Sequence, residues 1–132
     1  MAKASSSLQR MTRQRRILME VMDRANWHPT AEEIYNVVRE RAPRISLGTV
    51  YRNLDVLSRE GMIMKIEETG GQRRYDGNPK PHFHVFCLKC GVVRDLHEND
   101  INWDGPPEAT CPGFTITGFK LVFEGYCSAC LD

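Results

Sequence analysis

Four of the five cysteines form two C-x-x-C pairs, Cys87/Cys90 and Cys127/Cys130. Two such pairs indicate a closed tetrahedral zinc site with four thiolate ligands. The 36 residues between the pairs exceed the spacing of a compact zinc ribbon, so we expect the ion to hold the ends of a small sheet together. A thiol-disulfide enzyme is the alternative, but two matched pairs without a βαβ pattern favour zinc. Cys111 lies outside this framework and is expected to be a small buried apolar residue.

A pair of histidines, His82 and His84, precedes the first cysteine pair in a run of β-forming residues. Residues two apart on a strand face the same side, so both imidazoles can bind one metal ion. Asp95 falls on a second predicted strand, residues 92–96, and His97 is an extra candidate two residues further along. These side chains indicate a second metal site, separate from the cysteines.

Two residues from earlier in the chain, His28 and Asp76, would complete this second site. Spacing alone supports metal binding by His82 and His84 more strongly than metal binding by His28 and Asp76. The full set has three nitrogens and two carboxylates, which suits Fe(II) or Mn(II), with Zn(II) also possible.

Three amphipathic helices are predicted in the first half of the chain. They begin at the N-cap residues Thr12, Thr30 and Ser46, and Glu33 stands in the capping-box position of the second helix. The predicted helix ends are Trp27-His28-Pro29, Pro43 and Gly61. These helices would position any nucleic-acid contacts of this half.

A hairpin is predicted after the helices, because alternating runs at residues 63–67 and 72–75 flank Gly70-Gly71. Helix, turn, helix and a basic-tipped hairpin form the outline of a winged helix-turn-helix, whose third helix enters the major groove. Side chains there can contact phosphates and base edges. The candidate DNA contacts are Arg13, Arg15, Arg16, Ser46, Gly48, Thr49, Tyr51, Arg52, Asn53, Arg73 and Arg74.

The net charge of +1 hides an uneven distribution along the chain. Residues 1–75 carry +5, which fits a polyanionic partner, whereas residues 76–132 carry −4 and all the cysteines. We therefore predict a winged-helix DNA-binding domain at residues 1–76 and a metal-binding domain at residues 77–132. The second domain is too short to bury much core, so it needs a metal, a partner subunit or both.

The composition excludes a membrane protein. Hydrophobic residues make up 41% of the 132 residues and charged residues 27%, as in soluble globular proteins. No window approaches the apolar run of about 20 residues that a membrane span needs. Residues 1–10 have no apolar signal region, so we expect a cytoplasmic protein.

The chain resembles the ferric uptake regulator family from about Thr12 to Cys130. The segments that carry the resemblance are His28-Pro-Thr-Ala-Glu-Glu-Ile-Tyr35, Ser46-Leu-Gly-Thr-Val-Tyr-Arg-Asn-Leu54, Arg74-Tyr-Asp76, His82-Phe-His-Val-Phe-Cys-Leu-Lys-Cys90 and Cys127-x-x-Cys130. The resemblance implies an α+β protein with an N-terminal winged helix-turn-helix domain and a small C-terminal α+β dimerisation domain. It implies a homodimeric, metal-dependent repressor and not an enzyme.

The resemblance also implies two metal ions per subunit. One structural Zn(II) would bind Cys87, Cys90, Cys127 and Cys130. One regulatory Fe(II) or Mn(II) would bind His28, Asp76, His82, His84 and Asp95.

Within the family, the chain is most similar to the peroxide-sensing branch, because Asp76 and Asp95 stand where iron sensors usually carry glutamate. This similarity implies that hydrogen peroxide oxidises a ligand histidine, His28 or His82, in an iron-dependent reaction and so releases a palindromic DNA operator. An iron- or zinc-availability sensor with the same fold is the alternative.

Two segments depart from the family pattern. Residues 104–110 replace a longer helix, and their two prolines limit any helix there to a short one. The expected last strand has Gly118 and Phe119 where many relatives place histidine, so we do not expect the additional family metal site that uses such a histidine.

Overall fold

The computed structural model describes residues 11–67 and 72–131, and polar caps start the three α-helices within these residues. The helices are α1 (Arg13–Met22), α2 (Ala31–Val38) and α3 (Leu47–Arg59). Thr12 accepts a hydrogen bond from the Arg15 backbone N–H at 3.2 Å, and Ser46 accepts one from the Thr49 N–H at 3.1 Å. Thr30 and Glu33 form a complete capping box. The three predicted starts are confirmed.

Two of the described helices end earlier than predicted, whereas the third ends next to the predicted Gly61. Helix α1 stops at Met22 rather than at the 27–29 break, and α2 stops at Val38 rather than at Pro43. After Val38 the N–H groups of Glu40 and Arg41 bond three residues back, to the carbonyls of Val37 and Val38, which interrupts the regular α-helical ladder before Pro43 is reached. Helix α3 ends at Arg59, and Gly61 follows with a φ of 74°, a conformation that favours glycine.

The three helices enclose one apolar core. Its buried residues lie at helical spacing on each helix, and each fully buried aliphatic side chain contributes about 1.5–3 kcal/mol. The largest contributors include Leu18, Met22, Ile34, Val38, Val50, Leu54, Leu57 and Tyr75.

The predicted hairpin is present as β1 (Met64–Ile66) and β2 (Arg74–Asp76), which pair antiparallel. Its predicted turn, Gly70-Gly71, lies outside the described residues. The Tyr75 N–H donates to the Pro29 carbonyl at 2.9 Å, so β2 is attached to the loop that precedes α2.

The chain divides into two compact units. The first unit contains the three helices and the hairpin and ends at Lys80, and the second unit begins at Pro81. It contains a three-stranded sheet in the order β4–β3–β5, formed by β3 (Phe83–Cys87), β4 (Val93–Leu96) and β5 (Phe123–Gly125). Strand β3 pairs antiparallel with β4 and parallel with β5. Strands in both units and helices in the first confirm the α+β class.

The segment between β4 and β5 is mostly irregular. A 3-10 turn spans Glu98–Asp100, and residues 104–110 form no helix. The expectation that Gly118 and Phe119 lie on the last strand is wrong, because β5 begins only at Phe123. Strand β5 pairs with the last three residues of β3, and the preceding residues have no strand neighbour within the described chain.

The second unit buries little apolar surface. Phe86, Cys87 and Val93 are its buried hydrophobic residues among those described. Cys111 is exposed, so its expected burial is wrong. The prediction assumed a packed neighbour, which the irregular 101–122 segment does not supply. None of the described helices is long and apolar enough to cross a bilayer.

Candidate metal centres and nucleic-acid interface

The four paired cysteines meet at one edge of the second sheet. Cys87 ends β3, and Cys127 follows β5 by two residues. Because these two strands run parallel, their carboxyl ends lie side by side. All four sulfur atoms lie within 4.8 Å of one another, and the Cys90 and Cys127 sulfurs are 3.7 Å apart. Tetrahedral zinc, with Zn–S bonds of about 2.3 Å, requires sulfur atoms about 3.8 Å apart. The set therefore fits zinc.

Backbone amides favour a thiolate at Cys87. The N–H groups of Cys90 and Cys127 donate to its Sγ at 3.5 and 3.4 Å and lower the pKa of Cys87 to about 6. The hydrogen bond between the Cys130 and Cys127 thiols raises the pKa of Cys130 to about 12. Negative charge thus resides first at Cys87, and a bound cation would displace the protons of the other thiols.

The predicted histidine pair and Asp95 lie together in the second unit. His84 stands opposite Asp95 in the β3–β4 ladder, and its Nε2 lies 3.4 Å from Oδ1 of Asp95. His82 directs its own Nε2 to the same oxygen at 3.1 Å. The two imidazole rings are 4.5 Å apart. Two nitrogens and one carboxylate converge here, as the strand spacing predicts.

His28 and Asp76 form a second pair, in the first unit. Nε2 of His28 lies 3.2 Å from Oδ2 of Asp76, and both residues are buried. The bridge between Thr30 and Arg74 aligns the loop of His28 with the strand that ends at Asp76. The other carboxylate oxygen of Asp76 accepts the Asn78 N–H at 2.9 Å. This contact orients the carboxylate.

One residue beside this pair was not among the predicted site residues. Gly77 follows Asp76, and a Cβ at this position would overlap the Met22 carbonyl. A glycine directly after a candidate ligand is the sequence feature that could have indicated a close backbone approach. His97, the extra candidate, is exposed, and its N–H donates to the Asp100 carboxylate at 3.0 Å.

The amino end of α3 carries a connected polar surface. The Ser46 and Thr49 hydroxyls are 2.9 Å apart, and Arg52 donates to the Thr49 hydroxyl at 3.0 Å. The Arg52 guanidinium lies 3.5 Å from the position that a Cβ of residue 48 would occupy, and Gly48 leaves this space open. Tyr51 is 43% exposed. These side chains lie where a recognition helix would present them.

Two other predicted DNA contacts, Asn53 and Arg74, form hydrogen bonds within the protein. Asn53 is buried and accepts a hydrogen bond from Arg15 on α1. Arg74 donates to the His28 carbonyl at 2.9 Å and lies 3.4 Å from the Glu33 carboxylate.

The remaining predicted DNA contacts are exposed arginines. Arg13 and Arg16 lie on the exposed side of α1, and Arg73 on the hairpin lies 3.4 Å from Glu67. Their contacts with DNA, like those of Asn53 and Arg74, stay predictions.

The sequence profile of the ferric uptake regulator family matches residues 6–124 of the chain. The peroxide-responsive repressor PerR of Staphylococcus epidermidis is 31% identical over 123 residues, which cover 93% of this chain and 82% of that relative.

Two solved structures share the fold. The peroxide stress regulator of Campylobacter jejuni is 33% identical, with a TM-score of 0.59 over 75% of this chain and 67% of that chain. The ferric uptake regulator of Helicobacter pylori is 22% identical, with a TM-score of 0.71 over 98% of this chain and 94% of that chain.

Proposed function

Because the chain belongs to the ferric uptake regulator family, a family of transcriptional regulators and not of enzymes, we propose that it is a peroxide-sensing, metal-dependent repressor. The thiol-disulfide enzyme, which the cysteine pairs left open, is thereby excluded. The observation that carries the peroxide assignment is the pair of aspartates beside histidine nitrogens, in a chain 31% identical to a peroxide-responsive repressor.

The two groups of nitrogen and carboxylate ligands would share one regulatory ion per subunit. His28 and Asp76 belong to the first unit, whereas His82, His84 and Asp95 belong to the second. An ion that takes ligands from both units links them, and the nitrogen and oxygen donors suit Fe(II) or Mn(II). The four cysteines would hold one structural Zn(II) per subunit.

The peroxide response would reside in the imidazoles. Bound Fe(II) would activate hydrogen peroxide, and the imidazole ring would supply both electrons that reduce it, so the iron would end as Fe(II). One oxygen atom of the peroxide is added to the ring of His28 or His82, and the other leaves as water. An oxidised imidazole is a poor ligand, so the link between the units weakens and the population shifts away from the DNA-binding form.

A homodimer would bind a palindromic double-stranded operator, in the cytoplasm. Exposed apolar residues in the second unit supply a surface for a second copy. They are Leu88, Phe114, Ile116, Phe119, Val122, Tyr126 and Leu131. Two α3 helices related by a two-fold axis would read two half-sites.

Mass spectrometry of the Fe(II)-loaded protein after low peroxide tests this function. We expect one added oxygen atom on His28 or His82 and a parallel loss of binding to an operator duplex. The Mn(II)-loaded protein should stay unmodified and keep binding DNA. The exposed His97 is the matched control, and we expect its peptide to stay unmodified and His97→Ala to respond like the unaltered chain.

Two results contradict the proposal in different ways. DNA binding that follows metal concentration and ignores low peroxide would assign the chain to the metal-availability sensors. Oxygen addition without DNA release would show that the modified histidine does not control the DNA-binding form.

A further inference from the structure

Asn53 lies on the buried side of α3 and not on the side that would face DNA. It is 8% exposed, and it shares its helix face with Val50, Leu54 and Leu57, which are fully buried. A buried carboxamide without a hydrogen bond is costly, so a polar residue at this position needs a partner.

That partner is Arg15 on α1. The Nε–H of Arg15 donates to Oδ1 of Asn53 at 3.0 Å, across 38 residues of sequence. A hydrogen bond at Nε fixes the plane of a guanidinium group, whose donors have a rigid geometry. The contact therefore joins α1 to α3 and orients a positive charge beside the helix that carries Thr49 and Arg52.

We propose that Asn53 is a positioning residue for DNA binding, which acts through Arg15 and reads no base. The inference rests on the proposed DNA-binding function. Asn53 holds the Arg15 guanidinium in the orientation that contacts a backbone phosphate, while the half-buried Thr49 and the exposed Tyr51 and Arg52 contact the bases. An ordered side chain loses less conformational entropy when DNA binds.

Binding measurements with a selected DNA duplex test the coupling. The duplex is chosen from a random pool by the unaltered, Mn(II)-loaded protein. We expect Asn53→Ala to weaken binding roughly three- to tenfold, the effect of releasing one ordered side chain. Arg15→Ala should lower the slope of log affinity against log salt by about 1, as for one lost phosphate contact.

A double-mutant cycle tests whether the effects of Asn53→Ala and Arg15→Ala on DNA affinity are coupled or additive. In the Arg15→Ala chain, Asn53→Ala should not weaken DNA binding further, because Asn53 acts through Arg15. Arg13→Ala, an exposed arginine on the same helix, is the matched control and should add fully to Asn53→Ala. Arg15→Lys keeps the charge and leaves the core intact, and it should also abolish the effect of Asn53→Ala.

NMR of the Arg15 Nε–H group tests the positioning without DNA. We expect a slowly exchanging, ordered signal in the unaltered chain, a mobile one in Asn53→Ala, and an ordered one again in Asn53→Asp, which retains the acceptor oxygen. Additive effects of Asn53 and Arg15 on DNA binding overturn the proposal. A changed base preference in Asn53→Ala also overturns it, since Asn53 would then read a base.

The two proposals fail in different ways. If the unaltered protein selects no duplex, the proposed function fails and the phosphate role of Arg15 falls with it, while the NMR signals still report the contact. If it selects a duplex and the cycle is additive, only the positioning role fails.

Discussion

Gly77 lies where the backbone leaves no room for a side chain. It follows Asp76, whose carboxylate lies beside His28, and its backbone passes against the carbonyl at the end of α1. The candidate ligand is therefore fixed on one side by a steric contact and on the other by the Asn78 N–H.

We expect Gly77→Ala to destabilise the first unit by about 1–3 kcal/mol, the usual cost of overpacking. Gly48→Ala is the control, because its nearest contact is an ordinary 3.5 Å and helical alanine gains about 0.5–1 kcal/mol over glycine. Urea unfolding followed by helical circular dichroism measures both. Equal stability of the two variants would show that the backbone shifts at no cost.

We expect Cys130 and Cys111 to differ in their contribution to zinc binding. We expect Cys130→Ser to lose the tightly bound zinc, because it removes one of four converging sulfurs. Cys111→Ser should retain one zinc ion per chain, since Cys111 is exposed and lies outside the cluster. Metal analysis after dialysis distinguishes them. Zinc retained in Cys130→Ser would mean that three thiolates suffice.

Single residues were predictable where local spacing decided their position. The C-x-x-C pairs and the i, i+2 histidines required no tertiary information. The burial of Asn53 was not predicted, because Asn53 was placed with the DNA contacts at non-core positions of the third helix, although it lies at i+3 from Val50 on the apolar stripe of α3. The exposure of Cys111 was not predicted either, because it depends on which segments pack nearby.

At the scale of the elements, the three helix starts and the end of α3 at Gly61 followed from the sequence, whereas the ends of α1 and α2 did not. A cap such as Ser46 bonds an amide three residues away, so the start is a local event. The end of α2 at Val38 depends on how the following loop packs, and Pro43 only marks where a helix can no longer continue.

We expect Ser46→Ala to cost about 1 kcal/mol of stability, as the loss of an N-cap does. It also removes a partner of the Thr49 hydroxyl, to which Arg52 donates. Ser58→Ala is the matched control in the same helix, because Ser58 only returns a hydrogen bond to the Leu54 carbonyl. Thermal unfolding of the two variants gives the difference. A larger loss in Ser58→Ala would contradict the capping argument.

The whole molecule consists of two units stabilised by different means. The first has an extensive apolar core, whereas the second buries three hydrophobic residues among those described. The predicted division after residue 76 follows the charge and the cysteines, and the compact units divide after Lys80. Hydrogen-bonded turns at Asp76 and Asn78 continue the first unit to Lys80. The distribution of charge along the sequence does not indicate these turns.

Zinc removal should therefore unfold only the second unit. We expect a strong chelator under reducing conditions to abolish amide protection in β3 and β5, because the sulfur cluster joins their ends. Helical circular dichroism of the first unit should persist, since its core contains no cysteine. Hydrogen exchange resolved by residue measures both. Loss of helix protection at the same chelator concentration would show a single cooperative unit.

From the parallel pairing of β3 and β5 we also expect an order of folding. Cys87 and Cys90 come together in a local turn, whereas Cys127 must return across 40 residues. Closing such a loop costs at least about 3 kcal/mol of chain entropy, before any contact compensates for it. The first cysteine pair can therefore capture the metal before β5 arrives. We therefore expect strand β5 to join last, and until then a captured ion would have only Cys87 and Cys90 of its four sulfur ligands.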